Sequence, residues 1–285
     1  MARVLIVGAG YVGCVLGRRL AARGDEVFAL RRQPAAIPAP LRPVPADVTR
    51  PATLRGLPDH LDAVVFTIAP DATTDEAYAL TYVEGTGNVL AALDQRGVRP
   101  GRLLFCSSTA VYAQADGEWV DETSATEPVA FTGRRVLEAE RVVAGSGSPA
   151  VVLRLGAIYG PGREGLVDRV RAGTATYPAA GPSYGNRNHR DDCAAALEHL
   201  LDLPAPAPIY LGVDPEPTDL RVVLEWLAAR VGAPPPRPSA TAAGPRGATS
   251  KRASSRRLVA TGFRFAYPSF REGYASFVPA AVAAG

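Results

Sequence analysis

Residues 4 to 13, VLIVGAGYVG, pass from a short apolar run into Gly8, Gly10 and Gly13, and VLGRRLAARG then carries apolar residues at helical spacing. The pattern predicts a buried strand, a tight turn and an amphipathic helix, in that order. Short apolar runs bounded by turn residues return at EVFAL (26–30), LRPVP (41–45), DAVVFTI (62–68), RLLFCSS (102–108) and VVLRLGAIYG (151–160), and predict strands two to six. Between them, residues 75–97 and 133–145 carry helical periodicity. Strands alternating with helices predict an α/β, doubly wound parallel-sheet Rossmann fold, whose ligand sits at the carboxyl ends of the strands.

Beyond residue 160 the pattern is patchier. It gives helices at 164–172 and 191–203, a strand at 209–213, and a helix that starts with Thr218 as N-cap and stops at Gly232. Residues 233–250, dominated by Pro, Ala, Gly and Ser, predict a mobile loop. The expected organisation is a dinucleotide-binding domain over 1–160 and a small mixed substrate-binding lobe over 161–285.

Composition narrows the partners. The chain has 285 residues, 47% of them apolar, enough for a sizeable core. A net charge of +3 without a basic arm gives no reason to expect nucleic acid, and the apolar runs are too short for a bilayer. A first strand near residue 3 leaves no room for a leader, so a cytoplasmic location is expected. Cys14, Cys106 and Cys193 have no metal-site or disulfide spacing, and no metal is expected.

The glycines have separate jobs in a nucleotide turn. Gly8 allows the tight turn, Gly10 the approach of a pyrophosphate to backbone amides, and Gly13 close packing of helix on strand, with the helix N-terminus facing the anion. Where an NAD enzyme carries a ribose-binding carboxylate, this chain has Arg31 and Arg32. Guanidinium groups there favour the 2′-phosphate of NADP over NAD, the alternative being two solvated arginines. Asp47 in ADVT is placed either to accept from an adenine amine or to cap a helix.

The succession GAGYVG, ADVT, VEGTGNVL, FCSSTAVY, RLGAIYGPGR and HRDD resembles the extended short-chain dehydrogenases, the NAD-dependent epimerase/dehydratases. FTGRRVLEAE, NRNHRDD, KRASSRRL and FRFAYPSFREGY extend the likeness to the atypical YeeZ-like branch. The resemblance implies cofactor contacts from Gly8, Gly10, Tyr11, Val12 and Gly13, then Arg31, Arg32, Asp47 and Val48. It implies more from Ala69, Pro70, Thr86, Ser107 and Tyr159, and a homodimer through the helices at 75–97 and 133–145.

By the same resemblance Ser108 is the active-site hydroxyl beside the nicotinamide. Thr109 and Ala110 stand where the sugar dehydratases carry Asp and Glu, which disfavours that dehydration route. The usual Tyr and Lys map onto Phe131 or Thr132 and onto Arg135 or Val136. The sole lysine of the chain, Lys251, has Gly247 four residues before it, so no Tyr-x-x-x-Lys pair exists. Arg135 is a candidate oxyanion stabiliser and cannot shuttle a proton. Tyr112, Tyr159 and His189 are the remaining proton-handling candidates, each with a structural role as its alternative.

Thr109, Thr132, Lys251 and Arg252 are candidate substrate contacts; a solvated basic helix face is the other reading of the KRASSRRL run. The leading expectation is an NADP- or NAD-dependent oxidoreductase or epimerase acting on a small polar carbonyl or sugar-like metabolite. A non-catalytic NADP-binding sensor and a non-redox enzyme of epimerisation, elimination or cyclisation stand as alternatives.

Overall fold

The computed structural model describes residues 1–240 and 250–281. Two compact units emerge, and the chain crosses between them several times where the sequence suggested one cut after residue 160. Unit 1 comprises Met1–Val111, Thr126–Arg154 and Cys193–Tyr210; unit 2 takes Tyr112–Ala125, Leu155–Asp192 and Leu211 onward.

Unit 1 is organised by a seven-stranded parallel sheet. Its strands are β1 (Arg3–Val7), β2 (Glu26–Arg31), β3 (Arg42–Pro45), β4 (Ala63–Phe66), β5 (Arg102–Ser108), β6 (Ala150–Leu155) and β7 (Ile209–Gly212), in the spatial order β7-β6-β5-β4-β1-β2-β3. Strand β1 pairs with β2 on one side (Val4 opposite Val27) and with β4 on the other (Val4 opposite Ala63). The order therefore reverses at β1 and β4, the switch point where doubly wound sheets bind ligands. Leu5, Ile6, Val64, Val65, Leu103 and Leu104 are fully buried, as strands covered on both faces require.

Helix α1 (Gly13–Ala22) follows the glycine turn. The helix expected over 75–97 is three consecutive pieces: α2 (Asp75–Tyr78), a π-helical stretch Ala79–Glu84, and α3 (Gly85–Gln95). Thr74 caps its start by accepting from the Ala77 amide at 3.2 Å. Helix α4 (Phe131–Ala144) matches the second predicted helix.

The strand expected over 151–160 breaks at Gly156 into β6 and Ala157–Tyr159. A Cβ at Gly156 would lie 2.7 Å from the Asn186 carbonyl carbon, while the Ala157 amide donates to the Asn186 oxygen at 2.8 Å. That close backbone approach turns the chain out of the large sheet.

Unit 2 is assembled from short pairs. Arg187–His189 runs parallel to Ala157–Tyr159, Arg237–Ser239 to Thr176–Pro178, and Lys251–Ala253 to Glu118–Val120. Its core gathers Tyr159, Val167, Val170, Val223, Leu224, Leu227, Phe270 and Tyr274. Helix Leu220–Val231 stops at Gly232, left-handed at φ 66°, as the sequence suggests. Its cap is Asp219 and not Thr218: the Asp219 carboxylate accepts from the Arg221 amide at 3.2 Å, and Thr218 is drawn into a two-residue strand with Tyr184–Gly185. Of the loop expected over 233–250, Arg237–Ser239 is a strand, and 241–249 lie outside the described residues. No described helix is long and apolar enough to cross a membrane.

Candidate active site

The glycine turn has the geometry of an anion cradle. Gly8 adopts φ 88°, and the Gly8 and Ala9 amides donate to the Leu30 carbonyl at 3.1 and 3.0 Å, tying the turn to β2. A Cβ on Gly8 would come 2.7 Å from the Ile68 backbone, and one on Gly13 2.7 Å from Thr67 Oγ1. One on Gly10 would meet only the Gly8 oxygen, at 3.7 Å. The turn is thus packed behind and open at Gly10. Val12, the residue preceding α1, offers no side-chain cap, and the first turn holds no acidic residue, so no carboxylate opposes an anion at the positive end of the helix; the Cys14 amide donates back to the Gly10 carbonyl at 3.0 Å. These residues fit a dinucleotide pyrophosphate.

Around that turn the candidates divide. Arg31 ends β2 half-buried, its Nη1 only 3.4 Å from the Ala9 carbonyl. Arg32 is exposed and forks onto Asp71 at 2.5 and 2.6 Å, so its charge is already shared. The Asp47 carboxylate accepts from the Thr49 amide and hydroxyl at 3.0 and 2.8 Å, a local turn and not the helix cap held open as its alternative, since the next helix, Pro51–Gly56, follows Arg50 without a side-chain cap. Val48 gives its carbonyl to Asn88 Nδ2 at 2.9 Å. Ala69 and Pro70 follow β4, and Thr86 on α3 is fully buried with an unpartnered Oγ1.

At the end of β5, Ser107 and Ser108 point to different partners. Ser107 Oγ donates to Glu140 on α4, and Glu140 is gripped by Arg154 of β6 through Nε at 3.0 Å and Nη2 at 2.7 Å. All three are buried, a network that the sequence reading missed; an Arg in a strand and a Glu on a helix carry no signal that they meet. Ser108 Oγ accepts from the Ala110 amide at 3.1 Å.

Helix α4 packs its first turn against the turn after Ser108: a Cβ at Gly133 would lie 3.0 Å from the Ala110 carbonyl carbon. Thr109 and Thr132 are buried near this junction, and Phe131 sets its ring edge on Tyr78 at 5.5 Å. Arg135 forks onto Asp75 at 2.7 and 2.9 Å and reaches Glu138 at 2.9 Å. Hydrogen bonds to Asp75 and then Glu138 raise its pKa further. As an oxyanion stabiliser it would first have to leave two carboxylates.

In unit 2 the proton-handling candidates are engaged or buried. Tyr112 is buried and donates its hydroxyl to the Asp121 carbonyl at 2.7 Å. Tyr159 stacks on Tyr274 at 4.5 Å, and burial, with Asp214 adding to it, pushes its hydroxyl well above the usual phenol range. His189 is 1% exposed and lies 3.9 Å from the Tyr267 ring centre. Its Nδ1 accepts from the Asp191 amide at 3.3 Å, and burial lowers its pKa against the opposing pull of Asp191.

Lys251 is 3% exposed and donates to the Tyr112 carbonyl at 2.8 Å, which corrects the solvated-face reading at this residue. Arg252 lies over Trp119 and Tyr184 and donates to the Gly117 carbonyl at 2.7 Å.

With this geometry in hand, the model of the NAD dependent epimerase/dehydratase family matches residues 4–180. The chain belongs to that family. The 3-diazoavenalumate denitrifying reductase of a Streptomyces species is 34% identical over 95% of this chain and 98% of its own. Protein YeeZ of Escherichia coli K12 is 31% identical over 83% and 86%. A solved structure from Methylobacillus flagellatus with the same family description is 36% identical, with a TM-score of 0.81 over 96% of this chain and 97% of that one. The chain thus has the α/β fold of the epimerase/dehydratases, a family whose cofactor is NAD(P).

Proposed function

We propose that this family member is an oxidoreductase that binds NADP in preference to NAD and works without the Tyr–Lys proton relay. The observation that carries the reading is the turn Gly8–Gly13, open at Gly10, followed by an uncapped helix N-terminus and flanked by Arg31. The cofactor, when bound, supplies the hydride. The chain's own residues would hold the pyrophosphate at the amides of α1, receive a 2′-phosphate at Arg31, and orient a substrate oxygen at Ser108. Because Asp71 holds Arg32, Arg31 carries most of the cofactor preference.

The engaged state of Tyr112, Arg135 and Lys251 favours one class of hydride acceptor. A carbonyl that takes up hydride becomes an alkoxide and needs a proton. An aryl diazonium carbon that takes up hydride forms a C–H bond and releases the C–N electron pair with dinitrogen; charge balances with no proton supplied. The denitrifying reductase among the relatives supports this second class, so we place reductive loss of dinitrogen ahead of carbonyl reduction.

The test is calorimetric titration with NADPH and NADH of the natural protein and an Arg31→Asp, Arg32→Ala variant. An aryl diazonium salt and a panel of carbonyls are then assayed by NADPH absorbance. Tighter NADPH binding that the variant loses, with NADPH consumed only by the diazonium salt, is expected. No binding of either nucleotide sinks the redox reading. Binding without turnover of any acceptor favours the sensor alternative.

A further inference from the structure

Every positive side chain of this protein but one is an arginine, and the single lysine is buried. A buried ammonium is costly unless its position supplies something in return. Lys251 begins the strand Lys251–Ala253, which pairs in parallel with Glu118–Val120 and places Lys251 opposite Glu118.

That strand is fixed from several directions. Asn186 donates through Nδ2 to the Lys251 carbonyl at 3.1 Å and accepts from the Ala253 amide at 2.7 Å. The Gly117 amide donates to the Ser250 carbonyl at 2.7 Å, and the Ser254 amide to the Val120 carbonyl at 2.9 Å. From this rigid base Nζ reaches the carbonyl of Tyr112, whose hydroxyl is in turn held by the carbonyl of Asp121. Tyr112 is the first residue after the 3-10 turn Thr109–Val111, which follows Ser108 directly.

We propose that Lys251 is a positioning residue for the Ser108 turn: it fixes the carbonyl at the turn's exit and so holds the hydroxyl that meets the substrate. The proposal rests on the reading of Ser108 given above. A lysine suits the task because its narrow stem threads a buried path and its ammonium makes a charge-assisted bond to one carbonyl; the broad guanidinium fork needs a wider space. Burial, opposed by the Glu118 charge, brings the Lys251 pKa down to about 8. Glu118 is the charged group facing it from the paired strand.

The uniqueness of the lysine makes the test clean. Protein grown on ε-carbon-labelled lysine gives a single side-chain resonance, expected to titrate with a midpoint about 8, near neither end of a surface lysine's range. Hydrogen exchange of the amides of residues 108–114 is then compared among the natural protein, Lys251→Met and Lys251→Arg, with the amides of α1 as reference. Exchange at 108–114 is expected to rise about tenfold in Lys251→Met, with partial rescue in Lys251→Arg and no change in α1.

Unchanged exchange at 108–114 in Lys251→Met overturns the proposal. If Lys251→Met does not fold, exchange at 108–114 in Lys251→Arg decides by the same criterion. NADPH binding, followed by its fluorescence, is measured in parallel. Its failure in the natural protein removes the functional reading, while the exchange data still decide whether Lys251 holds the turn.

Discussion

Unit 1 and unit 2 bury their polar side chains on different terms. In unit 1 the buried Ser107, Glu140 and Arg154 satisfy one another, and among the described residues only Thr86 Oγ1 is buried without a partner. In unit 2 the unpartnered atoms are Gln114 Oε1, Tyr159 Oη, Asn188 Oδ1, His189 Nε2 and both carboxylate oxygens of Asp214. An unsatisfied buried group costs about 1–3 kcal/mol, so unit 2 is assembled at some expense. Unit 1 uses nearly all of the hydrogen-bonding capacity it buries among its described residues; unit 2 retains more that its described residues do not use.

The comparison breaks most visibly at the Glu140–Arg154 pair. Arg154→Leu leaves a buried carboxylate with only Ser107 and is expected to cost about 3–5 kcal/mol, read by denaturant unfolding. Replacing both partners by Leu should recover much of that loss, because the stranded charge goes with its partner. A single variant as stable as the natural protein would show that the network does not hold β5, β6 and α4 together.

Asp214 gives the corresponding test in unit 2. Its amide donates to the Arg187 carbonyl at 2.8 Å, and burial raises its carboxyl pKa to about 8, opposed by the Arg187 charge. The folded chain therefore binds a proton that the unfolded chain, with a pKa near 3.8, has released. Stability from this group is full below about pH 4 and is lost as pH rises through 8, by about 2–4 kcal/mol after solvent relaxation. Asp214→Asn should flatten that fall when unfolding is compared at pH 5, 7 and 9. An equally steep fall in the variant would assign the pH dependence elsewhere.

The same contrast governs what the sequence disclosed. The sheet of unit 1 was legible almost strand by strand, because strands buried on both faces read as continuous apolar runs, and Gly8 to Gly13 announced the turn. Gly156 was not read as a break, since the approach of Asn186 that forces it comes from residues thirty positions away. The π-helical stretch Ala79–Glu84 left the periodicity over 75–97 unchanged to the eye.

Unit 2 was harder because its strands are two or three residues long, below the length at which a period shows. Lys251 sits in a run of arginines and polar residues that reads as a wet surface, and only the pairing with Glu118–Val120 puts it inside. Asp214, set in VDPEP, carries no signal in the sequence that it is buried. At Tyr112, Arg135 and Lys251 the sequence gives a side chain's chemistry and not the partner that already engages it.

Two tyrosines sharpen the comparison within unit 2. Tyr112→Phe deletes a donor that the Asp121 carbonyl uses and should cost about 1 kcal/mol. Tyr159→Phe keeps the ring stacked on Tyr274 and deletes a buried hydroxyl with no partner, so it should be neutral or stabilising by up to about 1 kcal/mol. Thermal unfolding of the two variants under one set of conditions checks the sign; a loss in both of equal size would mean that Tyr159 Oη is bonded in solution.

The smallest effect on stability carries the sharpest functional readout. The Arg32–Asp71 pair is 56% and 70% exposed, and such pairs are worth about 0–1 kcal/mol. Asp71→Asn should therefore leave unfolding unchanged. It removes the carboxylate that holds the Arg32 pKa up and frees the guanidinium beside Arg31 for a phosphate. NADPH affinity should rise a few-fold with NADH affinity unmoved, and the gain should shrink as salt screens it. If both nucleotides respond alike, Arg32 does not face the 2′-phosphate, and Arg31 alone carries the preference.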